Sequence, residues 1–175
     1  PELMCLSIYD HPNELRRFLE AATDLCIEIL HEQLARIPPI QGGYVNPFGV
    51  WSAGTVLRTQ CDATAFLSPE HYAEWFLPCD VRICESVDYS IIHLHSNSLH
   101  TVDVLLELER PHAIQVTLDL QPSGPPLVQI LPILRKILDV KPLFLEGQMS
   151  DDDVQLVREQ LPLDGLSITR RRASF

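Results

Sequence analysis

The chain has 175 residues, 46% of them hydrophobic, which is long enough for one ordinary domain with its own core and too apolar for a disordered segment. Thirteen Lys and Arg stand against 24 Asp and Glu, a formal net charge of −11 with no basic stripe. That balance excludes a nucleic-acid or anionic-membrane partner as the first expectation. Asp10-His11-Pro12 then predicts a helix start, a cap followed by proline in the first turn. Behind it Leu15, Phe18, Leu19, Ala22, Leu25, Cys26, Ile29 and Leu30 recur at helical spacing, and Ile37-Pro38-Pro39 ends the helix. Residues 40–48, IQGGYVNPF, suit a short strand, while 49–67 allow no single assignment. Ser68-Pro69-Glu70 opens the next helix with an N-cap, a proline at N1 and an acid at the positive dipole end.

From there a rhythm sets in. Residues 89–95 (YSIIHLH) predict a strand, 98–109 a helix, 113–118 (AIQVTL) a strand, about 126–139 a helix containing Pro132, and 142–146 (PLFLE) a strand. PSGPP at 122–126 reads as a loop. Ser150 caps SDDDVQLVREQL, where Asp151-Asp152-Asp153 match the helix dipole rather than a metal, and 165–169 (GLSIT) is the last strand. Short apolar strands alternating with helices imply βαβ units, an α/β class with a parallel sheet. About five strands complete a doubly wound sheet, whereas a β/α barrel needs eight and ~250 residues. The chain opens on a helix with no strand before it, which favours part of a larger fold.

No apolar run nears the ~20 residues of a membrane span, and PELMCLSIYD lacks the cationic start and long apolar stretch of a signal peptide. Five cysteines, odd in number and without CxxC, suit a reduced, cytosolic protein. Arg170-Arg171-Arg172 reads as a solvated tail.

The chemistry concentrates in YSIIHLHSNSLH (89–100), where three of the seven histidines fall. In a strand, residues two apart share a face, so His93 and His95 point the same way as Ile91. They lie at the strand's carboxyl end, where barrel enzymes build their sites. Such a pair offers two imidazole nitrogens to one Zn²⁺ at ~2.0–2.1 Å, and a catalytic zinc takes a third protein ligand and an open position. Glu146, closing the next-but-one strand, and Cys61 are candidates for that third ligand. His₂Glu is a hard ligand set that also suits other divalent metals. Asp119, after AIQVTL, is placed to orient a histidine as a carboxylate partner, and Gly147 after Glu146 permits close approach of a ligand. The competing reading is that His93 and His95 bond to carbonyls, Asp119 or Glu146 with no metal. His100 sits about one turn into the following helix and reads as solvent-facing. Tyr44, Asn46 and Trp51 flank the exit of the 40–48 strand as pocket residues, with core packing the stronger expectation for the tryptophan.

Residues 60–78, QCDATAFLSPEHYAEWFLP, carry a resemblance. The glutamine, the small-residue spacer, LSPE, and an acid-aromatic pair before a proline resemble the uroporphyrinogen decarboxylase superfamily, which includes the decarboxylase and zinc-dependent, corrinoid-linked methyltransferases. YSIIHLHSNS falls where the methyltransferases carry a His-x-Cys-Gly strand end, and FLEGQMSDDDVQLVREQLPLDGLSI resembles the family's last two β/α units. The resemblance covers roughly residues 10–169 but only the C-terminal part of the family's barrel. It implies a single domain over 1–175 that lacks the barrel's N-terminal strands and docks on another segment or copy. The decarboxylase's arginine-rich N-terminal motif and pyrrole-gripping aspartate would precede residue 1. His95 replaces the methyltransferases' first zinc cysteine, and no cysteine occupies 167–171, where the second would stand.

By resemblance, the leading expectation is metal-assisted methyl transfer between a corrinoid, carried by a corrinoid protein, and a thiol. Zinc would be held by His93, His95 and Glu146, with Asp119 orienting and Gln60 and Asp62 near a small-molecule substrate. The second is decarboxylation of a porphyrinogen-like tetrapyrrole, for whose carboxylates Arg58 is the one basic residue near the mouth. The third is a non-catalytic binding remnant.

Overall fold

The computed structural model describes residues 2–120 and 122–171, so Arg172 of the basic tail lies outside the described residues. Two helices, α1 (Glu2–Asp10) and α2 (Pro12–Leu34), come first. A hairpin of β1 (Tyr44–Val45) and β2 (Trp51–Ser52) follows, then β3 (Val56–Gln60). The remaining strands are β4 (Tyr89–His95), β5 (Ala113–Leu118), β6 (Leu143–Gly147) and β7 (Leu166–Arg170). β3 to β7 form one five-stranded, parallel sheet in chain order, flanked by helices. By their internal contacts, residues divide into two compact units, 1–91 and 92–175.

In the first unit α2 starts at Pro12, where the missing N–H costs nothing because a first-turn N–H has no helical partner. Leu15 is buried, and buried Thr23 donates its hydroxyl to the Leu19 carbonyl at 2.7 Å. The rest of the apolar stripe departs from expectation: Phe18, Leu25 and Ile29 are 63%, 55% and 49% exposed. The helix packs mainly on α1 and on α4 (Leu77–Glu85), and its remaining apolar side faces outward. There Leu25, Ile29 and Leu30 wall an open groove of about 550 Å³ with Leu57–Gln60 of β3 and Ile83 of α4.

The strand expected over 40–48 shrinks to β1, because Asn46 turns the chain. Its Oδ1 accepts from the N–H groups of Phe48 and Val50 at 3.0 and 3.1 Å, a side-chain mimic of a backbone turn. Trp51 is half exposed rather than in the core; its indole N–H donates to the Ile40 carbonyl at 3.0 Å and its ring covers Gly43, where a Cβ would fall 2.8 Å away. The unassigned stretch 49–67 contains β3. Asp88 staples its start, with Oδ2 accepting from Thr55 N and Oγ1, each at 2.8 Å. Ser68 caps the next helix as expected, its side chain accepting from His71 N. That helix is composite: α3 (Pro69–His71), a π-helical turn (Tyr72–Phe76), then α4. Pro78 explains the wide turn, since its ring crowds the carbonyl four residues back and offers no N–H to it.

In the second unit β5 pairs with β6 and β6 with β7, all parallel, with Val116 beside Leu145 and Leu145 beside Ile168. The helices are α5 (Val102–Leu106), after a 3₁₀ turn at Leu99–Thr101, then α6 (Leu127–Leu138) and α7 (Asp151–Gln160). α5 is far shorter than the 98–109 expectation. Ile114, Val116, Leu143 and Leu145 of the strands are fully buried, as are Leu134 and Ile137 of α6 and Val157 of α7. Each such side chain contributes about 1.5–3 kcal/mol. Pro132 is tolerated inside α6 because Val128, whose carbonyl loses its donor, is exposed. Ser150 and Asp153 form a reciprocal capping box at α7, and Asp151 pairs with Arg170 at 2.6 Å.

One buried cation ties this unit together. Lys141 is 7% exposed and its ammonium donates to the carbonyls of Leu108, Glu109 and Pro111 at 2.7, 3.2 and 2.7 Å. Lys141→Met removes these donors and leaves carbonyls unserved, so urea unfolding should show a loss of about 2–4 kcal/mol; an unchanged midpoint would refute the bridge.

Candidate functional site

The carboxyl ends of β4, β5 and β6 carry the polar groups of the second unit. His93 and His95 stand on one face of β4, their rings 4.9 Å apart between centroids and 79° to each other. Period-two alternation puts them there, as it puts Ile92 and Leu94 on the opposite face. His93 is 5% exposed, whereas the His95 side chain is 37% exposed. Ligand atoms of the two histidines lie within 4.8 Å of each other. Two nitrogens on one tetrahedral zinc lie about 3.3 Å apart, so a modest side-chain adjustment brings both onto one ion.

Asp119 follows β5 and reaches back to this pair. His95 Nδ1 and Asp119 Oδ1 are 2.7 Å apart. An ionised carboxylate only accepts, so Nδ1 carries the proton and Nε2 is the unprotonated nitrogen of the neutral ring. Asp119 is itself held. Ser96 Oγ donates to its Oδ2 at 2.9 Å, and the Asp119 backbone N–H donates back to Ser96 Oγ at 3.0 Å. The 122–126 loop closes over this contact at Gly124, where a Cβ would fall 2.7 Å from both Asp119 Cβ and Ser96 Oγ. A glycine is therefore required for the loop to lie against the carboxylate. Neither Ser96 nor Gly124 stood out in the sequence: a serine after a strand and a glycine among prolines are common loop residues, and their roles arise from contacts 23 and 28 residues away in the chain.

No family model, curated protein or solved structure matches the chain.

The other expected site residues fall elsewhere. Glu146 is buried but serves the strand ends: it accepts from Thr117 Oγ1 at 3.1 Å and pairs with Arg171. Among the described residues no group of three donors lying within 4.8 Å of one another includes Glu146 or Cys61. The Glu146 carboxylate balances a guanidinium, and Gly147 gives close approach to the neighbouring strand rather than to a ligand, with a Cβ there 2.9 Å from that of Leu118. His100 is exposed, as expected.

Tyr44, Asn46, Arg58 and Gln60 belong to the first unit. Tyr44 pairs across the hairpin with Ser52, and Asn46 builds the turn. The Arg58 guanidinium lies 3.7 Å over the Phe48 ring, and Gln60 Nε2 donates to Asp62 Oδ2 at 3.2 Å. Arg58 and Gln60 both line the α2–β3 groove.

Cys61 lies in an environment that disfavours its thiolate. Burial pushes its thiol up to about 12, reinforced by Asp80, so it stays protonated and non-nucleophilic near neutrality. Alkylation at pH 8 should therefore modify Cys61 at least about 100-fold more slowly than exposed Cys26, read by peptide mass spectrometry. Equal rates would contradict this environment.

Proposed function

We propose that the chain carries the strand-end chemistry of a uroporphyrinogen-decarboxylase-like β/α barrel and takes part in metal-assisted methyl transfer from a corrinoid to a thiol. His93 and His95 are the ligands, and zinc is the first choice for an imidazole pair. The observation that carries this reading is the 2.7 Å bond from His95 Nδ1 to Asp119. Carboxylate–histidine pairs of this form fix the tautomer and raise the basicity of metal-binding imidazoles. Bound zinc would supply a depressed pKa to a coordinated thiol.

The chain's own residues do the rest. Asp119 keeps the proton on Nδ1, Ser96 keeps Asp119 in place, and buried Ile92 and Leu94 anchor the strand that presents both imidazoles. Two protein ligands leave coordination positions open for a thiol and water. Strand order adds support for the barrel, because a sheet wound in chain order never reverses direction, unlike a doubly wound one. The five cysteines are all free, which suits a reducing, cytosolic setting.

Tetrapyrrole decarboxylation ranks second because it needs cations for the substrate carboxylates. Arg171 is paired to Glu146, Arg170 to Asp151, and Arg58 is stacked on Phe48.

The test is metal content by inductively coupled plasma mass spectrometry after incubation with zinc and desalting. Wild type should retain near-stoichiometric zinc, and a His93→Ala/His95→Ala variant should retain none. Asp119→Asn should weaken zinc binding by about 10–100-fold. Zinc absent from the wild type, or unchanged in the double variant, would overturn the reading.

A further inference from the structure

A buried acid in the first unit has no part in the chemistry above. Where the helix after Ser68 widens at Tyr72–Phe76, Tyr72 and Asp80 meet across the π turn. Tyr72 is fully buried and Asp80 is 6% exposed, and the phenol donates to Asp80 Oδ2 at 2.7 Å. A buried carboxylate is costly unless donors surround it. Here the side-chain donor is a single neutral hydroxyl, and among the described residues no guanidinium or ammonium pairs with the carboxyl.

The surrounding elements reinforce that picture. Among the described residues, the titratable groups that act on the pair are Cys61, after β3, and fully buried Cys84, on α4, and both are thiols. The cations on the elements packed around them are engaged elsewhere. Arg82 of α4 pairs with Asp24 of α2, and Arg16 of α2 pairs with Glu74 and covers the Trp75 ring. Arg58 of β3 covers Phe48, His71 bonds to Tyr9 and Ser68, and His31 bonds to the Ser86 carbonyl.

We infer that the Tyr72–Asp80 pair is a proton-operated latch in the first unit. The neutral carboxyl fits the apolar interior of the π turn, and the ionised form is retained there through the Tyr72 hydroxyl. Burial drives the Asp80 carboxyl up from 3.8 to about 6, while the Tyr72 bond pulls it the other way. Between those two values the folded unit holds a proton that the unfolded chain has released. The stability contributed by the latch is therefore full at low pH and is lost as pH rises through about 6. Ile83, which lines the groove, shares α4 with Asp80, and α4 packs on β3, which supplies Leu57–Gln60 to the same groove.

The experiment is urea unfolding of the full chain from pH 4 to 8, for wild type, Asp80→Asn and Tyr72→Phe. A carboxyl titration of the wild type by ¹³C NMR accompanies it. Relative to Asp80→Asn, the wild-type midpoint should fall as pH rises through about 6, and one carboxyl should titrate there. Tyr72→Phe should move that titration upward by about one to two pH units, because it removes a bond to the charged form. A wild type that parallels Asp80→Asn across the range overturns the latch. If Asp80→Asn fails to fold, the NMR titration decides alone: no carboxyl titrating near 6, or one that Tyr72→Phe leaves in place, refutes it.

Discussion

Parallel pairing with an unbroken register is the constraint on which the second unit depends. Leu143 lies beside Ile114 on one side and Leu166 on the other, and the same alignment runs to Gly147 beside Leu118 and Arg170. Because side chains alternate with period two, this register buries Val116 and Leu145 and delivers the last residues of each strand to one rim. A slip by one residue would turn these core side chains outward. The rim's chemistry follows from the alignment: Thr117 meets Glu146, and Asp119, one step beyond β5, meets His95.

The rim is also graded. Toward β6 and β7, Glu146 and Arg171 neutralise each other, which makes that end a structural ion pair. Toward β4 and β5, the polar groups are two imidazoles and a carboxylate already committed to one of them. The proposed function rests on this second arrangement, in which a carboxylate fixes the Nδ1 proton of one imidazole beside a second ring.

Much of this unit was legible in the sequence. YSIIHLH, AIQVTL and PLFLE have the length and apolar character of buried parallel strands, and Ser150 followed by three acids spells a capped helix start. These signals are local, so one chain suffices to read them. The first unit was harder. β3 runs through VLRTQ, whose polar half resembles a loop, and it is defined by pairing and by Asp88 from 33 residues away. The π turn arises from a conflict between helix propensity and Pro78 that no periodicity reveals. Likewise, the α2 stripe at Phe18, Leu25 and Ile29 has the spacing of a buried face, yet spacing reports only that a face is apolar, not what covers it. At the site, His93, His95 and Asp119 were readable from strand ends, whereas the commitment of Glu146 to Arg171 depends on a tertiary contact 25 residues long.

The central claim is that Asp119 holds the proton on His95 Nδ1, so that Nε2 is the unprotonated nitrogen. Long-range ¹H–¹⁵N NMR of the histidine side chains at neutral pH tests it most directly, because it reads the tautomer of each ring with no metal present. The account predicts an Nδ1–H tautomer for His95 that is lost in Asp119→Asn, and an Nε2 resonance that moves when zinc is added to the wild type. An Nε2–H tautomer in the wild type, or spectra unaltered by Asp119→Asn and by zinc, would contradict it.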